Sequence, residues 1–140
     1  MKKTEQQGSG SSIFGNIEEI SDAFERRAEQ ERTEQQHRLD RQLESYGALT
    51  QQLDAATERY AVLSEQLGEK PEVVLDEGWW MEVLSVHSEQ QRIIEGLIQL
   101  TAVFVYRQFD TSYGKVAEAS SVSRALIPKW IEKAERSEDT

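Results

Sequence analysis

A heptad repeat of apolar residues in the first half of the chain constrains the fold most strongly. One set of apolar residues recurs every seven positions, and a second set lies between its members. This spacing is typical of a helix face packed as a coiled-coil seam. The repeat consists of Leu39, Leu43, Tyr46, Leu49, Leu53, Ala56, Tyr60, Leu63 and Leu67. Gly68 followed by Pro71 predicts that this helix ends there.

A second helix is predicted from near Asp76 to about Phe109. The connection at 68–76 is short, which favours an antiparallel hairpin with the first helix. Counting from the turn, we expect Leu67 near Trp79, Leu53 near Ile93 and Leu39 near Arg107. Trp79 and Trp80 are separated by about 100° around a helix. One tryptophan is therefore expected to close the hairpin, and the other to cover the loop.

The apolar run at 93–109 is predicted to be a core helix. Glu95, Gln99 and Arg107 interrupt it, and it is shorter than the roughly 20 apolar residues that span a bilayer. No apolar segment follows Lys2 and Lys3, so we expect no secretory signal and a cytoplasmic location. The chain has 140 residues and no cysteine, which excludes disulfides, thiolate zinc sites and cysteine nucleophiles.

Residues upstream of the heptad repeat are predicted to mediate self-association. Residues 1–12 hold no apolar side chain beyond Met1 and are expected to form a flexible tail. Residues 13–38 then extend beyond the hairpin, with an apolar face on Ile13–Phe24 and a polar stretch at 25–38. This segment and the heptad repeat suggest a dimer or higher oligomer. The residues assigned to oligomerisation are Ile13, Ile17, Ile20, Phe24, Leu39, Tyr46, Leu53 and Tyr60. Ile13–Phe24 or the pair Trp79/Trp80 is an alternative contact for another protein.

Charge is distributed unevenly along the chain. The formal net charge is -10, yet residues 107–133 hold five basic and three acidic side chains and are net positive. Within that stretch, Val116, Ala117 and Ser120 are predicted to share one face of a short helix. Residues 121–123 are predicted to form a turn, with Ser123 capping a second helix. The apolar face of the second helix is predicted to comprise Ile127, Trp130 and Ile131.

Residues 116–131 resemble the helix-turn-helix of lac-repressor-type regulators, whose pattern runs Val-Ala-x-x-Ala-Gly-Val-Ser-x-x-Thr-Val-Ser-Arg. Val116, Ala117, Val122 and Ser123 match it outright, and Ile127 and Lys129 match in kind. The resemblance covers about a ninth of the chain. It implies that the second helix lies in the major groove of DNA. The residues expected to face DNA are Ser123, Arg124, Ala125 and Pro128, with Lys129 and Lys133 nearer phosphates.

Two residues depart from that pattern. Ser121 replaces the turn glycine; a small residue is tolerated there at some energetic cost if the backbone needs φ > 0. Pro128 is predicted to be the fifth residue of the second helix if Ser123 is its cap. Proline has no N–H, so the carbonyl of Arg124 would lose its partner and the helix would kink.

The spacing of the candidate catalytic and metal-binding residues does not predict an enzymatic site. Glu34 and His37 have the spacing of one half of a di-iron motif, which requires a second copy and further carboxylates. Ser85, His87 and Glu89 are neighbours on one helix and cannot form a triad. We therefore expect no catalysis, no metal and no cofactor.

The sequence thus predicts an all-α protein with three regions. They are a tail at 1–12, a helical stalk and oligomerisation region at 13–109, and a helix-turn-helix-like unit at 110–137. The expected function is that of a non-enzymatic DNA-binding protein, either a regulator or a DNA-organising accessory factor, acting as an oligomer. The alternative is an acidic structural or adaptor protein of a larger complex, whose C-terminal helices bind protein or only pack. The direction in which Arg124, Lys129 and Lys133 point would discriminate between the two.

Overall fold

The computed structural model describes the backbone of residues 2–138 and the side chains of residues 16–137. Over that range the chain is helical, as the sequence predicts. Four α-helices and one 3-10 helix follow in order: α1 (Lys2–Glu69), the 3-10 helix Pro71–Leu75, α2 (Glu77–Phe109), α3 (Tyr113–Ser120) and α4 (Leu126–Glu138). The side chain of Ile13 lies outside the described residues, and the flexibility of residues 1–12 stays a prediction. No helix in the described range has the length and hydropathy needed to cross a membrane.

The chain divides into two compact units, Met1–Asp40 and Arg41–Thr140. In the first unit the described side chains lie along α1. Ile17, Ile20 and Phe24 are all more than half exposed there and form an apolar face among the described side chains. Leu39, at the end of this unit, is half-buried.

In the second unit, α1 and α2 pair as the antiparallel hairpin that the heptad repeat predicts. A buried cluster of Leu63, Trp79, Val83 and Val86 lies beside the turn, and Leu67 packs against it. Further along, Arg59 forms an ion pair with Glu89. The predicted proximity of Leu67 to Trp79 is therefore confirmed.

In the middle of the hairpin, Leu49 of α1 packs over Gly96 of α2. A Cβ atom at Gly96 would lie 3.5 Å from Leu49 Cδ1, which is an ordinary van der Waals contact. Ala56 and Ile93 are buried in the same stretch. The pairing of Leu39 with Arg107 stays a prediction, since the two residues belong to different units.

The turn of the hairpin is held by polar contacts to the backbone. The carboxylate of Asp76 accepts a hydrogen bond from the Gly78 N–H at 2.8 Å and caps α2. The Trp80 indole N–H donates to the Val74 carbonyl at 2.8 Å. Trp79 is buried in the cluster, whereas Trp80 covers the loop and is half exposed. The division of roles expected for the two tryptophans is confirmed.

Candidate nucleic-acid interface

The end of α2 and the helices α3 and α4 enclose a separate buried cluster. Its centre is Ile127, the one large side chain among the described residues with no exposed surface. The other buried members come from all three helices: Ala102, Val103, Val116, Ala117 and Ile131. Burial of this side-chain set fixes the position of α4 against α2 and α3.

Asp110 and Ser121 have left-handed backbone conformations and set the chain direction on either side of α3. Asp110 ends α2 at φ 48°. Ser112 then caps α3, because its side chain accepts from the Lys115 N–H at 3.3 Å. Ser121 ends α3 at φ 57° and ψ 40°, the left-handed conformation that the glycine of the family pattern favours.

The turn after α3 is closed by backbone hydrogen bonds and by one apolar side chain. The Val122 N–H donates to the Ala117 carbonyl at 3.1 Å, which satisfies a carbonyl at the end of the helix. The Val122 side chain is half-buried and packs against the Ile127 cluster. Ala117 thus supplies a small residue between the helices, and Val122 supplies an apolar residue in the turn.

The start of α4 differs from the sequence prediction. The helix begins at Leu126 and not directly after Ser123. The Ser123 hydroxyl accepts from the Ala125 N–H at 3.4 Å, and the Ile127 N–H donates to the Arg124 carbonyl at 3.2 Å. A tight turn at 123–126 thus precedes the helix, and Ser123 is not its immediate N-cap.

This later start changes the expected effect of Pro128. Proline is now the third residue of α4, within the first turn, where backbone N–H groups have no intrahelical acceptor. The carbonyl of Arg124 is already occupied by Ile127. The predicted kink was wrong, because Pro128 removes no helical hydrogen bond.

All of the residues assigned to DNA contact are exposed: Ser123, Arg124, Ala125, Pro128, Lys129 and Lys133. Lys129 and Lys133 lie on the side of α4 opposite Ile127 and Ile131. Within residues 16–137, none of the three basic side chains among them forms an ion pair with a glutamate of the stalk. The positive charges of this surface are therefore directed to solvent.

Sequence reasoning missed Arg136 on the same surface. Arg136 lies three residues after Lys133 and seven after Lys129, so helical spacing places it on the same face. It is exposed and approaches Glu132 at 3.8 Å, as an i,i+4 pair. This basic face of α4, defined by Lys129, Lys133 and Arg136, carries one opposing charge, from Glu132.

A tyrosine pair supports α3 from the end of α2. The rings of Tyr106 and Tyr113 stack with centroids 4.8 Å apart. The Tyr106 hydroxyl donates to that of Tyr113 at 3.4 Å. This hydrogen bond, with a smaller contribution from desolvation, raises the pKa of Tyr106 above its usual value.

The residues considered for chemistry elsewhere remain apart. Glu34 and His37 are both exposed on α1, and among the described side chains no three metal-binding residues cluster together. His87 Nδ1 lies 2.9 Å from Gln90 Oε1, and Glu89 forms an ion pair with Arg59.

No protein-family model matches the chain, and no curated protein or solved structure matches it significantly.

Proposed function

We propose that α3 and α4 form a DNA-binding helix-turn-helix, and that the protein is a non-enzymatic DNA-binding regulator or DNA-organising factor. The observation that carries the proposal is the exposed basic face of α4, held on a buried three-helix core. Arg124 lies at the turn before this face, and Lys129, Lys133 and Arg136 follow along it. Basic side chains in this arrangement neutralise backbone phosphates.

The geometry around the turn supports the same proposal. Ser121 adopts the left-handed conformation of the turn glycine, and Val122 packs inward as the turn residue of such units does. Pro128 lies in the first turn of α4, where it leaves the helix regular. Arg124 is the residue best suited to read a base, since a guanidinium donates two hydrogen bonds to guanine.

The net charge of -10 predicts weak binding by a single copy. Acidic residues of α1 and α2 repel the duplex, whereas the basic face attracts it over a Debye length of about 10 Å at 0.1 M salt. We expect binding to weaken steeply as salt rises, because each neutralised phosphate releases a counterion. Two copies on one duplex would bind more tightly than one.

The experiment is a titration of fluorescent random-sequence duplex DNA with the full chain at roughly 50 and 200 mM salt. The test variant is Arg124→Glu/Lys129→Glu. The matched control is Arg41→Glu/Lys70→Glu, which makes the same change in net charge at exposed positions of the hairpin. Salt-sensitive binding that the first variant abolishes and the control retains supports the proposal. Absence of binding by the folded protein at either salt contradicts it, as does an equal loss in both variants.

A second candidate function is that of an acidic adaptor in a larger complex. It is favoured by Ile17, Ile20 and Phe24, which expose an apolar face on the first unit. A shallow pocket of about 260 Å³ lies among Ile20, Ala23, Phe24 and Arg27. Failure of the DNA titration would leave this function as the better explanation of the chain.

A further inference from the structure

Helix α2 carries two adjacent apolar seams, only one of which is covered by α1. Trp79, Val83, Val86 and Ile93 form the covered seam and are all buried. One residue further round the helix lies a second seam, which we term the α2 stripe. It consists of Trp80, Leu84, His87, Gln91, Ile94 and Ile98, at the alternating three- and four-residue steps of a coiled coil.

The α2 stripe is exposed along its whole length. Leu84 is 59% exposed, Trp80 49%, Ile94 43% and Ile98 37%. On the α1 side it is bordered by Tyr60, whose ring lies 4.8 Å from that of His87, and by Tyr46. A helix with two neighbouring seams is typical of a bundle in which each helix packs against two others.

The order of residues in the stripe indicates which partner it fits. Reading from Trp80, two apolar positions are followed by two polar ones and then by two apolar ones. The pattern is therefore the same from either end. Two copies packed antiparallel about a two-fold axis oppose apolar with apolar and polar with polar in every layer: Trp80 with Ile98, Leu84 with Ile94, and His87 with Gln91. An isologous contact requires this self-complementarity, and a different partner does not.

A groove at one end of the stripe matches a side chain at the other end. The groove has a volume of about 500 Å³ and lies between α2 and the end of α3. Ile94, Ile98, Thr101 and Tyr46 contribute to its largely apolar lining. In the antiparallel register, Trp80 of the second copy lies over Ile98 at this groove. The hydrogen bond from its indole N–H to Val74 already fixes the ring, which lowers the entropy lost on binding.

The charge of the stripe also permits a second copy. Charged residues make up 30% of the chain and its net charge is -10, so most faces of two copies repel each other. None of the six residues of the stripe is an acid, a lysine or an arginine. Ser88, beside the centre of the stripe, brings no like charge to the axis.

We propose that the α2 stripe is a homodimer interface, at which two hairpins pair antiparallel about a two-fold axis between His87 and Gln91 to form a four-helix bundle. The two central polar layers set the register, as a buried polar residue does in coiled coils. The interface does not depend on DNA binding. It assigns self-association to a surface of α2 that the heptad repeat of α1 does not reveal.

The first test is sedimentation velocity of the full chain over a range of roughly 1 to 100 µM, a range typical of weak to moderate dimers. The wild type is expected to be a dimer. Leu84→Glu is expected to raise the dimer Kd by roughly 100-fold or more, because each copy loses an apolar contact and gains a buried charge. The control is Val62→Glu on α1, where a side chain of similar exposure (54%) lies away from the stripe.

The second test determines the register of the two α2 helices with substitutions at exposed serines, which leave the buried residues unchanged. The chain has no cysteine, so a single introduced thiol reports one position. In the antiparallel register, the two copies of Ser88 lie on the same flank of the interface, about 3 Å apart along the axis, and those of Ser85 about 12 Å apart. Because the copies of Ser88 are also separated across the interface, a short bifunctional thiol reagent is used and not a direct disulfide. Ser88→Cys is expected to cross-link the two copies, and Ser85→Cys to cross-link them far less.

Each remaining outcome overturns the proposal. A wild-type monomer at the highest concentration removes the interface. A dimer that Leu84→Glu leaves intact places the contact elsewhere, such as the Ile17–Phe24 face. Equal cross-linking of both cysteine variants contradicts the antiparallel register.

Discussion

The two buried clusters of the Arg41–Thr140 unit are built in different ways. The cluster around Leu63 and Trp79 lies between two helices and is one part of a long repeated seam. The cluster around Ile127 is enclosed by three helices and has one fully buried side chain at its centre. A seam distributes its stability over many similar contacts, whereas an enclosed core concentrates it on few. The candidate DNA-binding surface depends on the second kind.

The largest effect is expected from Ile127→Ala. This side chain is 0% exposed, and its loss leaves a cavity with walls from three helices. We expect a loss of about 4 kcal/mol in the free energy of unfolding of the α3–α4 region, near the upper part of the range for such changes. Urea denaturation, with hydrogen exchange to locate the change, measures it. Phe109→Ala, at a side chain 70% exposed, is the control and should cost less than about 1 kcal/mol. Equal effects of the two variants would show that the core is not concentrated on Ile127.

A smaller effect is expected from Leu63→Ala in the hairpin. Leu63 is 6% exposed and is contacted from one side by α2. The cavity opens toward solvent, and neighbouring layers of the seam remain, so we expect about 2 kcal/mol. Thermal unfolding followed by circular dichroism tests it. A loss in the free energy of unfolding larger than that of Ile127→Ala would show that the seam, and not the enclosed core, concentrates the stability.

A gain in stability is expected from Ser121→Gly. A residue with a Cβ atom is strained at φ 57°, and glycine relieves that strain. We expect a gain of about 1 kcal/mol or less, measured from urea midpoints. Ser120→Gly is the neighbouring control, since Ser120 is the last residue of α3 and has a helical backbone. That change should destabilise by about 0.5 kcal/mol. A loss at both positions would contradict the role given to the turn.

The smallest expected effect concerns alkaline pH. The folded state raises the pKa of Tyr106 above its unfolded value, so folding favours the neutral phenol. The resulting stabilisation is present below the ordinary tyrosine pKa and is lost as the pH rises through the folded pKa. Tyr106→Phe should therefore flatten the decline in stability above about pH 10, the ordinary tyrosine pKa. Tyr46→Phe in the hairpin is the control. An unchanged decline in Tyr106→Phe would show that the tyrosine pair is not the cause.

Most of the fold was predictable because its signals are local and repeated. The heptad repeat gave the hairpin, Gly68 and Pro71 gave the end of α1, and Asp76 gave the start of α2. The register beside the turn, where Leu67 packs near Trp79, followed from the short connection. The predicted start of α4 was wrong because a tight turn at 123–126 precedes the helix. The residues of this turn have the same sequence pattern as a helix cap.

The candidate site was predictable in part. Val116, Ala117, Val122 and Ile127 have the inward positions that the pattern implies. Arg136 was missed although its spacing placed it on the same face as Lys129 and Lys133. The α2 stripe was not predicted from the sequence. At one end of α2 the covered seam and the stripe are both apolar, so either could face α1. Sequence alone does not tell which of two adjacent seams the first helix covers.

The sequence by itself determined the helical class, the hairpin and its register beside the turn, since these follow from the periodicity of apolar residues and from turn chemistry. The tertiary structure decided which residues remain exposed. It placed Ile127 at the centre of three helices, directed the basic residues of α4 to solvent, and covered one seam of α2 while leaving the other open. Exposure depends on the packing of elements that are distant in sequence, and no local pattern encodes it.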